Sequence, residues 1–448
     1  VYHKYVGHDN NRDFVILSQE DTKAIAAIYN QTWFPQVMVE KHQMGSTGVR
    51  YFVPPNHDPI AENISAGIFS WSGLFGQNMA KDMTVAGQAG VAQHYLFDNY
   101  WPGSTETCIW KNVIGMLTEA ASVRTASPVY IEPNELKVGG KGLSEYKKSV
   151  NMLLPWEGGW WRLGDIVDYE IVSTMSILKT ASLYREEILR FRNDICREMV
   201  ETGRTEPPFY YLFPREQHDA GELVKMVALL QEHGVNVYHL NKDLVIEDIA
   251  YRAGDLVVPL AQPFRAFIKE VLEAQEFPER HYTPGGDLIK PYDITSWSLP
   301  LHRNVKSFEV NRRFPELETN ISLISEIFSM APSVIEREGK VILPVDYNES
   351  YKAAFAAHQK GIEVERLSEN MKFDGKELKE GSFVISLEGK TEDMARELIE
   401  SLNFPVIQIP GDLVLESEKM KVPEIALVET WFHDMDAGWT RFVFDTYH

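Results

Sequence analysis

The sequence predicts an α/β protein with more than one domain, and three observations lead to that prediction. Runs rich in apolar residues at positions 35–42 and 112–119 are typical of buried strands. The stretch that follows Gly159 instead repeats apolar residues at steps of three and four, which is typical of a helix. With 448 residues, the chain is too long for one core, and we expect roughly two to four domains.

Residues 1–204 form the first predicted domain, an α/β unit that holds both strands and ends in a long helix. The helix is predicted to end near Gly203, ahead of Pro207. Its apolar positions are Ile171, Met175, Leu178, Ala181, Tyr184, Ile188, Phe191, Ile195 and Met199.

The chain then repeats itself, since residues 205–272 and 335–420 show the same order of predicted strands and helices. Gly234 and Gly361 lie 127 residues apart at the ends of helical stretches, and Gly254 and Gly381 lie 127 residues apart before apolar strands. We interpret these ranges as two smaller α/β units, which as duplicated modules are usually scaffolds or binding units.

Two further segments complete the predicted organisation. Residues 273–334, with punctuating prolines and aromatic residues such as Pro291 and Tyr292, are interpreted as a connecting β-rich segment. Residues 421–448 are predicted to begin another α/β domain, with a strand at residues 425–428 and a helix over residues 435–447.

Charge and composition exclude several classes of partner. The chain has 44 basic and 65 acidic residues, a net charge of −21, which argues against nucleic acid or an anionic membrane surface as a partner. No apolar run approaches the roughly 20 residues that cross a bilayer, so no membrane span is expected. Cys108 and Cys196 form neither a CxxC motif nor a Cys/His cluster, which leaves the compartment open.

The ends of the two predicted strands carry the leading functional candidates, His42 and Glu119. Ligands in open α/β sheets gather at the carboxyl ends of strands, so an imidazole and a carboxylate there could face one pocket. A single histidine is more often structural than a ligand, and a carboxylate after a strand can simply face a helix N-terminus. Position alone leaves these alternatives open.

Near the start of the chain, Asn11 and Arg12 lie in a run of polar residues at positions 8–13. A solvated turn would explain this composition. The functional alternative is an anchor for a substrate carboxylate, because a guanidinium can bind a carboxylate through two parallel hydrogen bonds and a neighbouring amide can add a third.

Asn11 with Arg12, then His42, then Glu119, in this order, resemble the zinc carboxypeptidases of the carboxypeptidase A type. The 77 residues from His42 to Glu119 are also similar to the spacing in that family. More specifically, the motifs HQMGS, YWPG, LTEAAS and WEGGWWRLGDIVDYE look like a large bacterial multi-domain subgroup. The stretches IALVETW and MDAGWTRF resemble that subgroup's next domain, which has a glutamine amidotransferase-like fold.

The resemblance implies a fold and a set of roles. The fold would be a partial carboxypeptidase-like mixed-sheet α/β domain followed by the two repeated units. Asn11 and Arg12 would bind the carboxylate of a peptide or amide substrate, His42 would be a zinc ligand, and Glu119 would be the catalytic base. The family also uses a mobile tyrosine, for which Tyr95 is the preferred candidate and Tyr100 the alternative.

The sequence departs from the family at its first two zinc ligands, which belong to an HxxE motif. None of the 13 histidines has a glutamate three positions later. We therefore expect a metallocarboxypeptidase-like hydrolase whose chain is truncated at both ends and inactive as it stands. The alternative is a non-catalytic pseudo-peptidase that serves as a binding module. A metal-free hydrolase that pairs Glu40 with Glu119 has little support, since nothing in the sequence marks them as a pair.

Overall fold

The computed structural model describes residues 7–139, 141–326, 328, 334–336, 338–402, 404–429 and 435–447. It confirms the α/β class, since helices pack against mixed and antiparallel sheets. None of the helices in these ranges is long and apolar enough to cross a membrane.

Over its described residues, the first domain contains a four-stranded mixed sheet, a small hairpin and five α-helices. Its elements are α1 (Glu20–Ala27), β1 (Val37–Met44), β2 (Tyr51–Phe52), α2 (Ala66–Val85), β3 (Val91–Ala92), α3 (Ser104–Trp110), β4 (Ile114–Ala121), β5 (Val129–Ile131), β6 (Gly159–Trp161), α4 (Leu163–Leu183) and α5 (Arg185–Thr205). The strand order in the sheet is β1-β4-β2-β3, and β1 is parallel to β4.

Strands β1 and β4 position the candidate residues. All eight residues of β4 are buried, as expected of a strand covered on both faces. Both strands extend two residues beyond the predicted ends, so His42 and Glu119 lie inside them. In the parallel register His42 is directly opposite Glu119.

The predicted long helix is two helices, α4 and α5, separated at Tyr184, where neither glycine nor proline signals a break. Helix α4 packs against α2 through a face that includes the small polar residues Ser176 and Thr180, and Asn78 of α2 donates a hydrogen bond to the Thr180 hydroxyl. Three of the apolar residues that predicted the helix, Ile171, Met175 and Leu178, are instead exposed, each by more than half. Periodicity predicted the helix correctly but did not show which face is buried.

The first repeated unit is larger than predicted. It consists of β7 (Tyr210–Phe213), α6 (Ala220–Glu232), β8 (Tyr238–Leu240), β9 (Leu244–Ile246), β10 (Ile249–Tyr251), β11 (Leu256–Pro259), α7 (Arg265–Leu272), α8 (Leu299–His302), β12 (Phe308–Val310), α9 (Pro315–Glu318) and β13 (Ile321–Leu323). The sheet order is β12-β7-β11-β8-β13.

The second unit repeats this topology. Its elements are β14 (Lys340–Leu343), α10 (Asn348–Gln359), β15 (Val364–Leu367), β16 (Met371–Phe373), β17 (Lys376–Leu378), β18 (Phe383–Ser386), α11 (Glu392–Glu400), β19 (Ile407–Ile409) and β20 (Ser417–Lys419). The order β19-β14-β18-β15-β20 matches that of the first unit position by position, and every pair in both sheets is antiparallel.

This topology corrects two predicted boundaries. Residues 273–334 do not form a separate connecting segment, because β12 and β13 lie in this range and pair, as the two edge strands of the sheet, with β7 and β8 of the first unit. The predicted strand at residues 425–428 is absent, since these described residues pair with no neighbouring strand. The helix predicted after it is present as α12 (Met435–Tyr447), which packs against α10.

Candidate functional site

One cavity of about 650 Å³ brings the separated candidate residues together. Asn11, Arg12, His42 and Glu119 all line it. The other lining residues include apolar and aromatic ones, such as Phe14, Ile25, Tyr29, Met38 and Tyr292, and polar or charged ones, such as Asp9, Glu40 and Lys41. A volume of this size, in which apolar residues alternate with convergent polar groups, can hold a small ligand.

His42 is held by a carboxylate two residues earlier in the same strand. Its Nε2 lies 2.8 Å from Oε2 of Glu40, since side chains at positions i and i+2 of a strand share a face. The hydrogen bond with Glu40 raises the pKa of His42 and outweighs the opposing effect of burial. This pair favours the charged imidazolium.

Helix α3 fixes Glu40 in turn. The Glu40 carboxylate accepts hydrogen bonds from the hydroxyl groups of Ser104 and Thr105 and, at 3.0 Å, from the backbone N–H of Thr105. Burial by itself would raise the pKa of Glu40, but the hydrogen bonds from His42 and from these two residues lower it. Glu40 is therefore an ionised anchor for the imidazole.

Glu119 has the opposite environment. The residue is 8% exposed, and its Oε2 has no hydrogen-bond partner among the described residues. Burial raises the pKa of Glu119 to about 7, despite the nearby His42. A carboxyl group with such a pKa can both accept and release a proton near neutral pH, as a general base must.

Arg12 lies at another wall of the cavity, in a short turn with Asn11. Its guanidinium stacks 4.6 Å from the centre of the Trp101 ring and pairs with two carboxylates, Asp9 at 3.4 Å and Asp293. Oδ1 of Asn11 accepts a 2.7 Å hydrogen bond from the backbone N–H of Ser104. Both side chains are thus oriented before any ligand binds.

The predicted mobile tyrosine is not at the cavity. Tyr95 is 4% exposed and packs in a hydrophobic cluster that includes Phe52 and Phe97. Tyr100, the alternative, donates a 2.7 Å hydrogen bond to the backbone oxygen of Glu276 and is also absent from the cavity wall. Neither tyrosine lies at the cavity wall, because both side chains pack among other aromatic residues in the core.

Several functional candidates were missed by the sequence analysis. Tyr292 lines the cavity and Asp293 pairs with Arg12, and both come from the segment that was interpreted as a connector. No local sequence signal marks them, since they lie about 170 residues or more from the strands they approach. Glu40 was considered only as a partner of Glu119, although its spacing from His42 in a strand places the Glu40 and His42 side chains on one face.

In the part of the chain that the structure describes, the cavity offers fewer metal ligands than a zinc site needs. A catalytic zinc ion takes three protein ligands and keeps one position open. Over the described ranges, no group of three or more His, Cys, Asp or Glu residues is arranged to hold a metal. The imidazole in the cavity, that of His42, is already bonded to Glu40. The described residues around the cavity therefore do not fit a zinc site.

Comparisons of the chain with protein-family models, with curated proteins and with solved structures gave no match. The functional assignment therefore depends on the geometry of the cavity.

Proposed function

We propose that the cavity is the substrate-binding and proton-transfer part of a metallocarboxypeptidase-like hydrolase that acts on C-terminal peptide or amide bonds. The observation that supports this proposal is the convergence of Arg12, His42 and Glu119, which are far apart in sequence, on one cavity. Zinc remains a prediction from the resemblance alone, with His42 as its single candidate ligand.

Each side chain has a defined part in this proposal. Arg12 binds the substrate carboxylate through its guanidinium, and the amide of Asn11 can donate a further hydrogen bond. The apolar residues Phe14, Ile25 and Met38 cover the side chain of the terminal residue. Glu119 removes a proton from the attacking water and delivers it to the leaving amine.

A second candidate function is a non-catalytic module that binds the same carboxylate ligands without hydrolysis. The contact between His42 and Glu40 favours it, because it engages Nε2, one of the two imidazole nitrogens that could bind a metal. Under both functions Arg12 binds a carboxylate, and they differ in whether Glu119 transfers a proton during turnover.

Calorimetric titration with N-acetyl-phenylalanine and with its C-terminal amide tests the carboxylate site. We expect the acid to bind about tenfold more tightly than the amide, because only the acid can pair with Arg12. Arg12→Met should remove this preference. Arg162→Met is the matched control, since Arg162 is largely exposed and lies outside the cavity wall.

Equal affinity for acid and amide in the unaltered protein would overturn the assignment of the carboxylate site. Glu119→Gln should keep the preference for the acid, because Glu119 acts on the water and not on the carboxylate. Loss of binding in this variant with its fold intact would remove Glu119 from the proposed role.

A further inference from the structure

A second cavity, of about 690 Å³, adjoins the candidate site. Leu96 and Tyr292 line both cavities, so these two residues separate one cavity from the other. The rest of the second cavity is lined by Lys141 and by residues of the segment 282–291. A ligand that extends from the candidate site past Leu96 and Tyr292 therefore enters the second cavity.

Tyr292 faces the part of the candidate site in which we place the proton transfer. Burial raises the pKa of the Tyr292 phenol, the charge of Glu119 raises it further, and that of Arg12 lowers it. The phenol thus lies close to both the proposed general base and the proposed carboxylate anchor. A peptide with its C-terminal carboxylate at Arg12 and its last amide bond at Glu119 would have its preceding residues beside Tyr292.

A buried ion pair holds these two separating residues in place. Asp98 and Lys141 pair with each other, and neither side chain is more than 5% exposed. Oδ2 of Asp98 also accepts a 3.1 Å hydrogen bond from the backbone N–H of Tyr292. The backbone oxygen of Lys141 accepts a 3.0 Å hydrogen bond from the N–H of Leu96. Because the same ion pair anchors both residues, the second cavity is formed before a ligand binds.

The charged residues of the second cavity give it no preference for an anion or a cation. The charge of Lys141 is balanced by its buried partner Asp98. The other two charged lining residues, Asp287 and Lys290, have opposite signs, and both are exposed. Exposed charges are also screened by salt. We therefore expect an uncharged group of the ligand in this cavity.

Two large apolar side chains of the second cavity are exposed to solvent. Tyr282 is 52% exposed and Leu288 is 46% exposed. They lie on the two arms of a short hairpin, in which the backbone N–H of Tyr282 donates a 3.1 Å hydrogen bond to the oxygen of Asp287. Apolar surface in a concave site contributes to binding when a ligand removes it from water. An apolar side chain of the ligand would cover these residues.

We propose that the second cavity is an upstream subsite, which binds an uncharged apolar side chain one or two residues before the C-terminal residue of a peptide. This inference rests on the proposed function, because the candidate site orients the peptide. Two residues of extended chain span about 7 Å, enough to pass a wall that is one side chain thick. The substrate class is then peptides with apolar residues ahead of the C-terminal residue, and not acylated single amino acids.

Calorimetric titration of the full chain with acetyl-Leu-Leu-Phe and with acetyl-Asn-Asn-Phe tests the subsite. Asparagine is uncharged and close to leucine in size, so the two peptides have the same length and charge and differ in the polarity of two side chains. We expect the leucine peptide to bind about tenfold more tightly, because only its side chains gain from covering Tyr282 and Leu288. Equal affinities would overturn the proposal.

Substitutions in the second cavity locate this preference. Leu288→Asp and Tyr282→Asp should each reduce it to about twofold or less, by placing a charge where the apolar side chain binds. Leu301→Asp is the matched control, since Leu301 is also exposed but lies in α8, outside both cavities. A tenfold preference that persists in both cavity variants, or that is lost equally in Leu301→Asp, would contradict the subsite.

N-acetyl-phenylalanine and its amide distinguish failure of this subsite from failure of the proposed function. A preference for the acid together with equal binding of the two tripeptides would overturn the subsite and leave the proposed function in place. Equal binding of the acid and the amide would overturn the proposed function and, with it, the subsite.

Discussion

At the scale of single residues, two neighbouring ionisable groups in the cavity have different surroundings. His42 and Glu119 are directly opposite in the sheet, yet His42 is paired with a hydrogen-bonded carboxylate and Glu119 Oε2 lacks a partner among the described residues. The first environment favours the charged form of the imidazole, and the second favours the neutral form of the carboxyl group. The pKa of each group is therefore raised, that of His42 by its hydrogen bond with Glu40 and that of Glu119 by burial.

The pKa of Glu119 is directly measurable. We expect the carboxyl carbon resonance of Glu119 to titrate with a midpoint near 7, because burial disfavours the carboxylate. The Glu119→Gln variant identifies the resonance by its loss. A midpoint near the ordinary value of 4.5 would show that the side chain is solvated.

The same shift predicts a change in stability with pH. The folded state holds the Glu119 proton up to about pH 7, whereas the unfolded state releases it near 4.5, so this residue makes folding less favourable as pH rises between these values. The free energy of unfolding of Glu119→Gln, relative to the unaltered protein, should therefore rise by about 3 kcal/mol across that window.

At the scale of elements, the segment that precedes α8 closes one side of the cavity. Asp293 pairs with Arg12, and Tyr292 packs against the rings of Phe97 and Trp101. The Asp293 carboxylate thus occupies part of the Arg12 guanidinium, to which we propose that the substrate carboxylate binds. Binding of a carboxylate ligand must compete with this ion pair.

Removing that competitor should strengthen binding. We expect Asp293→Asn to increase the affinity for N-acetyl-phenylalanine about two- to fivefold, because a partly exposed ion pair contributes modestly. Titration calorimetry measures the change. Asp287→Asn is the control in the same segment. A weaker affinity in Asp293→Asn would mean that Asp293 positions Arg12 for its ligand and does not compete with it.

Helix α2 lies so close to the loop after β2 that one of its glycines cannot be replaced. A Cβ atom at Gly76 would lie 1.7 Å from the backbone oxygen of Pro54, whereas one at Gly73 would have its nearest neighbour at 3.9 Å. We expect Gly76→Ala to destabilise the fold by about 2–3 kcal/mol or more. Gly73→Ala should be neutral or stabilising by up to about 1 kcal/mol. Thermal unfolding of both variants compares them, and equal melting temperatures would contradict this close packing.

At the scale of the whole molecule, the first domain and the first repeated unit share one hydrophobic core. Trp110 from α3 packs in the same cluster as Phe267 from α7. Beside it, the buried Nζ of Lys111 lies 2.8 Å from Oδ1 of Asn30 and 2.8 Å from Nδ1 of His233. Nε2 of His233 in turn bonds to the backbone oxygen of Val15 at 2.9 Å. A buried hydrogen-bond network therefore connects the two units.

This network should make stability depend on pH. Burial lowers the pKa of Lys111 to about 7, so the folded state loses the proton that the unfolded state keeps up to 10.5. Stability from this residue therefore rises with pH across that window. The unaltered protein should gain about 2–3 kcal/mol relative to Lys111→Met between pH 7 and pH 9. Urea unfolding measures the difference, and a constant difference would show that Lys111 is charged in the folded protein.

The sequence predicted local features better than long-range ones. Periodicity located strands β1 and β4, and the glycine spacing revealed two units whose sheets have the same strand order. Strands β12 and β13 were missed as members of the first unit because each has three residues, too few for a periodic signal. The exposure of α4 and the approach of Asp293 to Arg12 depend on tertiary packing, which local patterns do not encode.

Methyl resonances of methionine test most directly whether the separated residues form one carboxylate-binding cavity. Met38 and Met44 line this cavity, whereas Met226 is buried in the first repeated unit. Addition of N-acetyl-phenylalanine should shift the methyl signals of Met38 and Met44 and leave that of Met226 unchanged. Its C-terminal amide should shift the same two signals much less. Unchanged signals of Met38 and Met44 at saturation, or equal shifts with acid and amide, would contradict the proposed site.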